Sequence, residues 1–566
     1  MQFGLAPFCQ TEVESRDTAL PTYAQRGLIH AINAMLTAIL IPPGGKPAAG
    51  RTPPTAACRN GVVSWLAVVA MPLSSWGQAT AQPALPPAGS ICDVRVFGAT
   101  GDGKTLDTGA INTAIRTCSR AGGGTVEFGP GTYLTGTIEI LSNITLHLQA
   151  GAKILGSPNP GEYRSIGRTT EGRSTSLIIA VKAANIGIRG PGAIDGNGRA
   201  FVMHPSRPHP SGELPSFYDP AATRQGKLFH DRGQENRDGP DEMSNRPGVL
   251  VLLVECREIV LRDLTVVDAP NWCVHLAGCH SALLTGLDVR NSLRIPNADA
   301  IDVASSQNVR VSNCYLEAGD DGVAVSPCAD GYCPMIAENI TVSNCVIVSR
   351  SAGVRLGWSA NDIRNLTFEH LIIRNSNRGI GIFVRGRENI ENVLFSDIVI
   401  ETHMMDGQWW GLGEPVHISV MPYDSSGPLG QVRNVRFVNV TATSDAPVIL
   451  YSRDRGKIRD IVFSNYRQRI RDSGLNRYYG GNLDLRPVTP DALGIRKQDL
   501  AGMVIHGVEK LDLRGFDLEW VGTAPDFFKA GIDVTDSKGL TIDGFRGSGP
   551  RAGTPAVRSD GEARVP

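Results

Sequence analysis

Three acids stand out by type and spacing. Asn297-Ala298-Asp299-Ala300-Ile301-Asp302 closes one short unit of alternating apolar residues, and Gly319-Asp320-Asp321-Gly322 opens the next. Asp299 and Asp320 lie 21 residues apart. If that interval is one turn of a repeating structure, Asp299, Asp320 and Asp321 meet at a single edge. Like charges held together resist ionising, so one pKa in the group must rise. A protonated carboxyl beside an ionised one can break a glycosidic bond: the first protonates the leaving oxygen and the second activates water. Two plainer uses stand level with this one. Acid pairs are common at turns, and clustered carboxylates can ligate calcium.

Positioning these acids requires a repeat, and the sequence contains one. Glu258-Ile-Val-Leu-Arg-Asp-Leu, Asn308-Val-Arg-Val-Ser-Asn-Cys, Asn339-Ile-Thr-Val-Ser-Asn-Cys, Asn365-Leu-Thr-Phe-Glu-His-Leu, Asn392-Val-Leu-Phe-Ser-Asp-Ile and Asn434-Val-Arg-Phe-Val-Asn-Val are versions of one phrase. Apolar and polar residues alternate within each, the pattern of a strand with one buried face. Such phrases recurring every few tens of residues indicate a stacked solenoid, and strand-rich units make it a parallel β-helix. A second short strand recurs at Ala300–Val303, Gly322–Val325, Gly353–Leu356 and Gly379–Ile382. Its apolar members point inward, which leaves Asp302, Ala324, Arg355 and Gly381 in one outward column where a polymer could lie. The recurrent Asn residues suit left-handed bends between strands, so Asn143, Asn339 and Asn365 read as turn residues before glycosylation acceptors.

The remainder of the chain frames this repeat. Lys and Arg total 55 against 56 Asp and Glu, a balance without the basic excess of a nucleic-acid binder. The 64 glycines and 6% aromatic content fit many short strands and tight turns. Residues 1–89 read as an N-terminal extension with a signal peptide: Arg59, an apolar h-region at about 62–73, and Ala79-Thr80-Ala81 before Gln82. Some 58 residues precede that signal, which suggests a start codon placed too early. A small N-terminal domain with a buried apolar segment is the alternative. Export to the periplasm or the exterior follows from the signal, with no membrane attachment after its removal. Asp107 to Arg116 reads as a helix capped by Asp or Thr, covering the open end of the stack. Residues 90–549 form the β-helix and 550–566 a disordered tail. Among 11 cysteines, Cys328 and Cys333 can pair in an oxidising compartment, and Cys92 with Cys118 is a second candidate. Cys314 and Cys345 read as small core residues. No zinc spacing is present, and neither a metal nor a cofactor is expected.

Ser90-Ile-Cys-Asp-Val-Arg-Val-Phe-Gly-Ala, Gly101-Asp-Gly-Lys-Thr, Gly122-Gly-Gly-Thr-Val, Gly192-Ala-Ile-Asp-Gly-Asn-Gly, Asn297-Ala-Asp299 and Gly319-Asp320-Asp321 resemble, in order, motifs of the family 28 glycoside hydrolases, the polygalacturonase family. The resemblance covers roughly residues 90–470. It implies a single-stranded right-handed parallel β-helix (a pectin-lyase-like solenoid) that hydrolyses a pectin-like polysaccharide or oligosaccharide as a monomer. It makes Asp320 the general acid, with Asp299 and Asp321 holding the water. Inversion at the anomeric carbon would need a carboxyl gap of roughly 6.5–9.5 Å.

Two family motifs are absent. Ser351-Ala352-Gly353 stands where the family has Gly-His-Gly, and Gly381-Ile382-Phe383 where it has Arg-Ile-Lys. Arg355, one coil below Gly381, could extend into the space the glycine leaves and replace the lost cation together with Arg385, with Arg378 also close in sequence; pairing with Asp302 is the plainer role. A long insertion supplies Trp409 and Trp410, expected to stack on sugar, together with His417. Asp302 and these residues complete the expected substrate-binding set. The stretch 199–247 reads as a loop bordering the cleft. A β-helical lyase using a base and a cation, and a non-catalytic carbohydrate-binding β-helix, are the rival readings.

Overall fold

The computed structural model describes residues 89–566, apart from 171–172, 205–239, 329–332, 334, 359–360, 406–408, 423–426, 477–479, 487–493, 561–562 and 565–566. The expected signal and its h-region at 62–73 lie outside the described residues. The described chain falls within one compact unit, residues 82–566. It winds as a right-handed parallel β-helix.

Each coil gives one strand to a 14-stranded sheet, and its remaining strands join a 24-stranded sheet. The site lies on the first of these. Its central strands are Val249–Val254, Trp272–Ala277, Ile301–Ala304, Val323–Ser326, Ala352–Gly357, Arg378–Val384 and Val416–Val420, all paired in parallel. Register follows the expected alternation. Val274, Ile301, Val323, Val354 and Ile380 stack inward, while His275, Asp302, Ala324, Arg355, Gly381 and His417 form the outward column.

Two ladders fix the register across coils. Inside, Phe368, Phe395, Phe437 and Phe463 stack with ring centroids 4.9, 5.0 and 4.6 Å apart, the spacing of neighbouring strands. At the bends, Asn308, Asn339, Asn365, Asn392 and Asn434 all have φ between 50° and 59°. The Nδ2 of each donates to Oδ1 of the one before at 2.8–3.3 Å. Asn tolerates the left-handed region better than other residues with a Cβ, and the side-chain bond satisfies an amide at a sharp corner.

The N-terminal helix spans Thr108–Arg120 and buries Ile111, Ala114, Ile115 and Cys118, its 3–4 spaced face. Asp107 does not cap it through its side chain. That carboxylate instead accepts from Thr100 N at 2.8 Å and Gly101 N at 3.1 Å, pinning the preceding turn.

Two expectations about the chain's organisation change, the tail and the Cys92–Cys118 pair, while the Cys328–Cys333 pair is borne out. Strands continue past residue 549: Val557–Ser559 pairs with Phe528–Thr535 and Ala563–Arg564 with Lys538–Asp543, so the stretch expected as a disordered tail carries the final strands. Cys328 and Cys333 form a disulfide, with Cα atoms 5.6 Å apart. Cys92 and Cys118 remain buried thiols in contact with each other. The sequence also concealed a hairpin, Asn482–Asp484 with Ile495–Lys497, inserted before the strand Leu500–His506. No helix among the described residues is long and apolar enough to cross a membrane.

Candidate active site

The acids meet because their own backbones continue the parallel ladder. Cys273 N donates to Asp299 O at 2.9 Å, and Ala300 N donates to Asp321 O at 3.0 Å. Consecutive coils therefore bring Asp299 beside the Asp320–Asp321 pair. The glycines flanking that pair are required by close approach. A Cβ at Gly319 would lie 2.1 Å from Ile295 O, and one at Gly322 would lie 2.3 Å from Ile347 Cγ2.

One carboxylate oxygen from each of Asp299, Asp320 and Asp321 lies within 4.8 Å of the others. This is tighter than the carboxyl gap expected for inversion. Asp299 and Asp321 are buried, at 3% and 4% exposure, while Asp320 is half-buried. Burial pushes the Asp299 carboxyl well above the usual range, and the charges of Asp302, Asp320 and Asp321 push it further; Arg355 opposes them. Its Oδ1 is buried without a hydrogen-bond partner among the described residues, an atom suited to a water or a substrate hydroxyl.

Around these acids the structure sorts the expected substrate-binding residues. Arg355 stays at the centre. Its Nε donates to Asp321 Oδ2, and its Nη1 donates to Gly357 O at 3.1 Å. Asp321 also accepts from Ala352 N at 3.1 Å. The Arg355 side chain is 13% exposed. It does not occupy the space above Gly381, because the Phe383 ring does: a Cβ at Gly381 would sit 2.6 Å from Phe383 Cε2. Its ion pair is with Asp321, where Asp302 was the expected partner. Asp302 is 1% exposed and acts on the cluster through its charge.

Of the other four expected residues, Arg385, His417 and Trp409 are buried and Trp410 is half-buried. Arg385 is 5% exposed and donates to Val384 O, Ser419 O and Leu485 O at 3.0–3.1 Å and to Ser419 Oγ at 2.9 Å. Burial pulls its pKa down to about 9, with Arg378 adding to the effect. His417 is fully buried, edge-on to Phe383 with ring centroids 5.1 Å apart. Desolvation, then Arg378 and Arg385, hold its pKa well below 6.5. Trp409 is 5% exposed and its carbonyl accepts from Arg486 Nη2 at 3.2 Å, so it pins the loop and offers no open stacking face. Trp410 is half-buried, with Arg486 Cζ 5.8 Å from its ring.

Two residues to which the sequence assigned no role support the acids. Asn297 Nδ2 donates to Asp320 Oδ2 at 3.2 Å, and Arg246 Nη2 donates to Asn297 Oδ1 at 3.4 Å. Arg246 Nη1 also donates to Pro270 O at 2.6 Å and Pro296 O at 2.7 Å, clamping the turn before Asp299. Nothing in the local sequence marks Arg246, since its partners come from two later coils.

The site is thus a largely buried carboxylate cluster at one sheet edge of a single-chain parallel β-helix. The chain belongs to the glycosyl hydrolases family 28, whose model matches residues 131–466. Residues 91–165 also match the rhamnogalacturonase A/epimerase, pectate lyase-like family. A probable polygalacturonase of Vitis vinifera is 30% identical over 249 residues, covering 42% of this chain and 44% of that protein. An exo-poly-alpha-D-galacturonosidase of Dickeya chrysanthemi is 26% identical over 252 residues, covering 41% of each. The chain thus spans less than half the length of these two relatives. Among solved structures, a family 28 exopolygalacturonase of Yersinia enterocolitica shares the fold with a TM-score of 0.58 at 21% identity, over 81% of this chain and 79% of that one. An exopolygalacturonase from Thermotoga maritima does so at 0.53 and 19%, over 77% and 93%.

Proposed function

We propose that the protein hydrolyses glycosidic bonds in a pectic polysaccharide or oligosaccharide, with inversion, at Asp299, Asp320 and Asp321. The observation that carries this reading is the buried convergence of the three carboxylates within 4.8 Å on a family 28 framework. Burial, with the neighbouring carboxylate charges, favours the protonated form of Asp299 in the free protein. Asp320, the most exposed of the three, meets the glycosidic oxygen first. A sugar covering it excludes water and favours its neutral form, which draws the proton outward from Asp299. Asp320 then protonates the leaving oxygen. A water held by Asp299 and Asp321 attacks the anomeric carbon and gives its proton to a carboxylate, so the cluster ends with the proton it began with. Arg355, which pairs with Asp321 and whose side chain is 13% exposed, is the cation proposed to meet a uronate carboxylate. Action on a polymer too large to enter a cell accords with export of this chain.

The spacing favours a second reading, since a separation near 5 Å suits double displacement through a glycosyl-enzyme. The anomer released first decides between the two readings.

Reducing-end release from polygalacturonate, rhamnogalacturonan and a neutral polysaccharide tests the proposal. Wild-type protein is expected to act on a uronate polymer with and without a chelator. Asp320→Asn is expected to lose roughly 10²–10⁴-fold in rate, the usual weight of a general acid. Activity that survives in Asp320→Asn, or that a chelator abolishes, contradicts the proposal.

A further inference from the structure

The outward column beside the acids is walled. Past Arg355 its members are Gly381, His417 and Ile449, and His417 and Ile449 are 0% and 1% exposed. Phe383 lies over Gly381, between Arg378 and Arg385, whose Cζ atoms sit 5.2 and 5.0 Å from its ring. Two insertions are fastened above this ring by charge. In the hairpin, Arg486 holds Asp484 through bonds of 2.9 and 2.7 Å. Arg378 is 1% exposed and reaches both Glu414, at 3.4 Å, and Asp484, at 3.9 Å. The hairpin is thereby tied to the 409–415 loop, and Arg486 bonds the Trp409 carbonyl as well. Further along, Arg496 lies over the Tyr451 ring at 4.7 Å.

The opposite end of the column is covered too. Trp272 stacks on His275 at 4.9 Å, and Leu252, Val254, Ala277 and Ala304 pack with the Cys328–Cys333 bridge in a separate apolar cluster. A chain laid lengthwise along the sheet would have to displace both covers. Displacing either cover would separate buried ion pairs or expose packed apolar side chains, so these walls do not yield to a weakly bound sugar. Between them, Asp320, Asn297, Arg355 and Trp358 are only partly buried.

We infer that the protein acts on chain ends. A terminus enters across the edge at Asp320, and the wall of Phe383, the 409–415 loop and the hairpin fixes how many units pass the acids. Each event then releases a fragment of one short length. This inference rests on the hydrolytic reading above and adds its mode.

The test is a time course of polygalacturonate digestion, with product sizes by anion-exchange chromatography and viscosity measured alongside. The expected result is one short product from the first time point, with viscosity falling slowly relative to reducing ends. A ladder of sizes with an early viscosity collapse would overturn the inference. Two variants address the cause, each checked for folding by its thermal transition: Phe383→Ala, and the milder Arg486→Gln in case the first fails to fold. Either folded variant should release longer or mixed fragments. An unchanged single product from both would show that the wall does not set the length. Absence of any new reducing ends from the wild type would instead remove the hydrolytic reading, and this inference with it.

Discussion

Asp299 is the residue on which the electrostatics turn. A carboxyl whose folded pKa is raised above its unfolded value adds stability that is fully present below the unfolded pKa and is lost as pH rises through the folded one. Asp299→Asn has no such loss. As pH climbs from about 4, where free Asp titrates, the variant should gain thermal stability relative to wild type while losing activity. A parallel pair of Tm-against-pH curves would refute the buried, proton-holding role. Arg355 carries a different expectation. Removing it leaves Asp321 buried without its cation, so Arg355→Ala should be destabilised by about 3–5 kcal/mol. Arg355→Lys keeps charge but loses the guanidinium's fixed geometry, and should raise KM for a uronate oligomer more than it lowers kcat. Equal KM values would leave Arg355 as a structural partner of Asp321. At this scale, the three acids were legible because Asp pairs and their spacing survive in the linear text. The fates of Arg385 and His417 were not. Both sit near the right coil, but a strand 34 residues away and, for Arg385, Leu485 100 residues away supply what they contact. Phe383, read only as part of a departed motif, proved to fill the space that was assigned to Arg355.

At the scale of elements, periodicity carried nearly everything. The alternating strands and the left-handed Asn bends appear where the repeat placed them, because both depend on nearest-neighbour coils with a fixed period. The aromatic stack shows how strongly. Phe437 is fully buried between Phe395 and Phe463, at 5.0 and 4.6 Å, so Phe437→Ala should destabilise the coil by about 3–5 kcal/mol. Denaturant unfolding would measure that, and a loss below about 1 kcal/mol would mean that the ladder collapses to fill the cavity. What periodicity could not show is anything that interrupts it. The hairpin Asn482–Asp484 with Ile495–Lys497 looked like irregular sequence, since its strands are three residues each and its anchors, Asp484 and Arg486, find their partners on other coils. The tail misread has a related cause: Gly- and Pro-rich sequence at 549–556 conceals a turn that Arg551 stitches through bonds to the Ala524, Pro525, Asp526 and Phe528 carbonyls.

For the whole molecule, the solenoid brings acids from successive coils together, and the insertions close the surface around them. The fold is generic to many sugar-active chains, so function rests on the cluster and its walls. The most direct test is proton NMR of the wild-type digest of α-linked oligogalacturonate, recorded from the first turnovers. Hydrolysis with inversion predicts that the β-anomer of the new reducing end appears first and mutarotates later, with no vinyl proton at any time. An α-anomer first would move the three acids to double displacement. A vinyl signal would make the reaction an elimination and contradict the account.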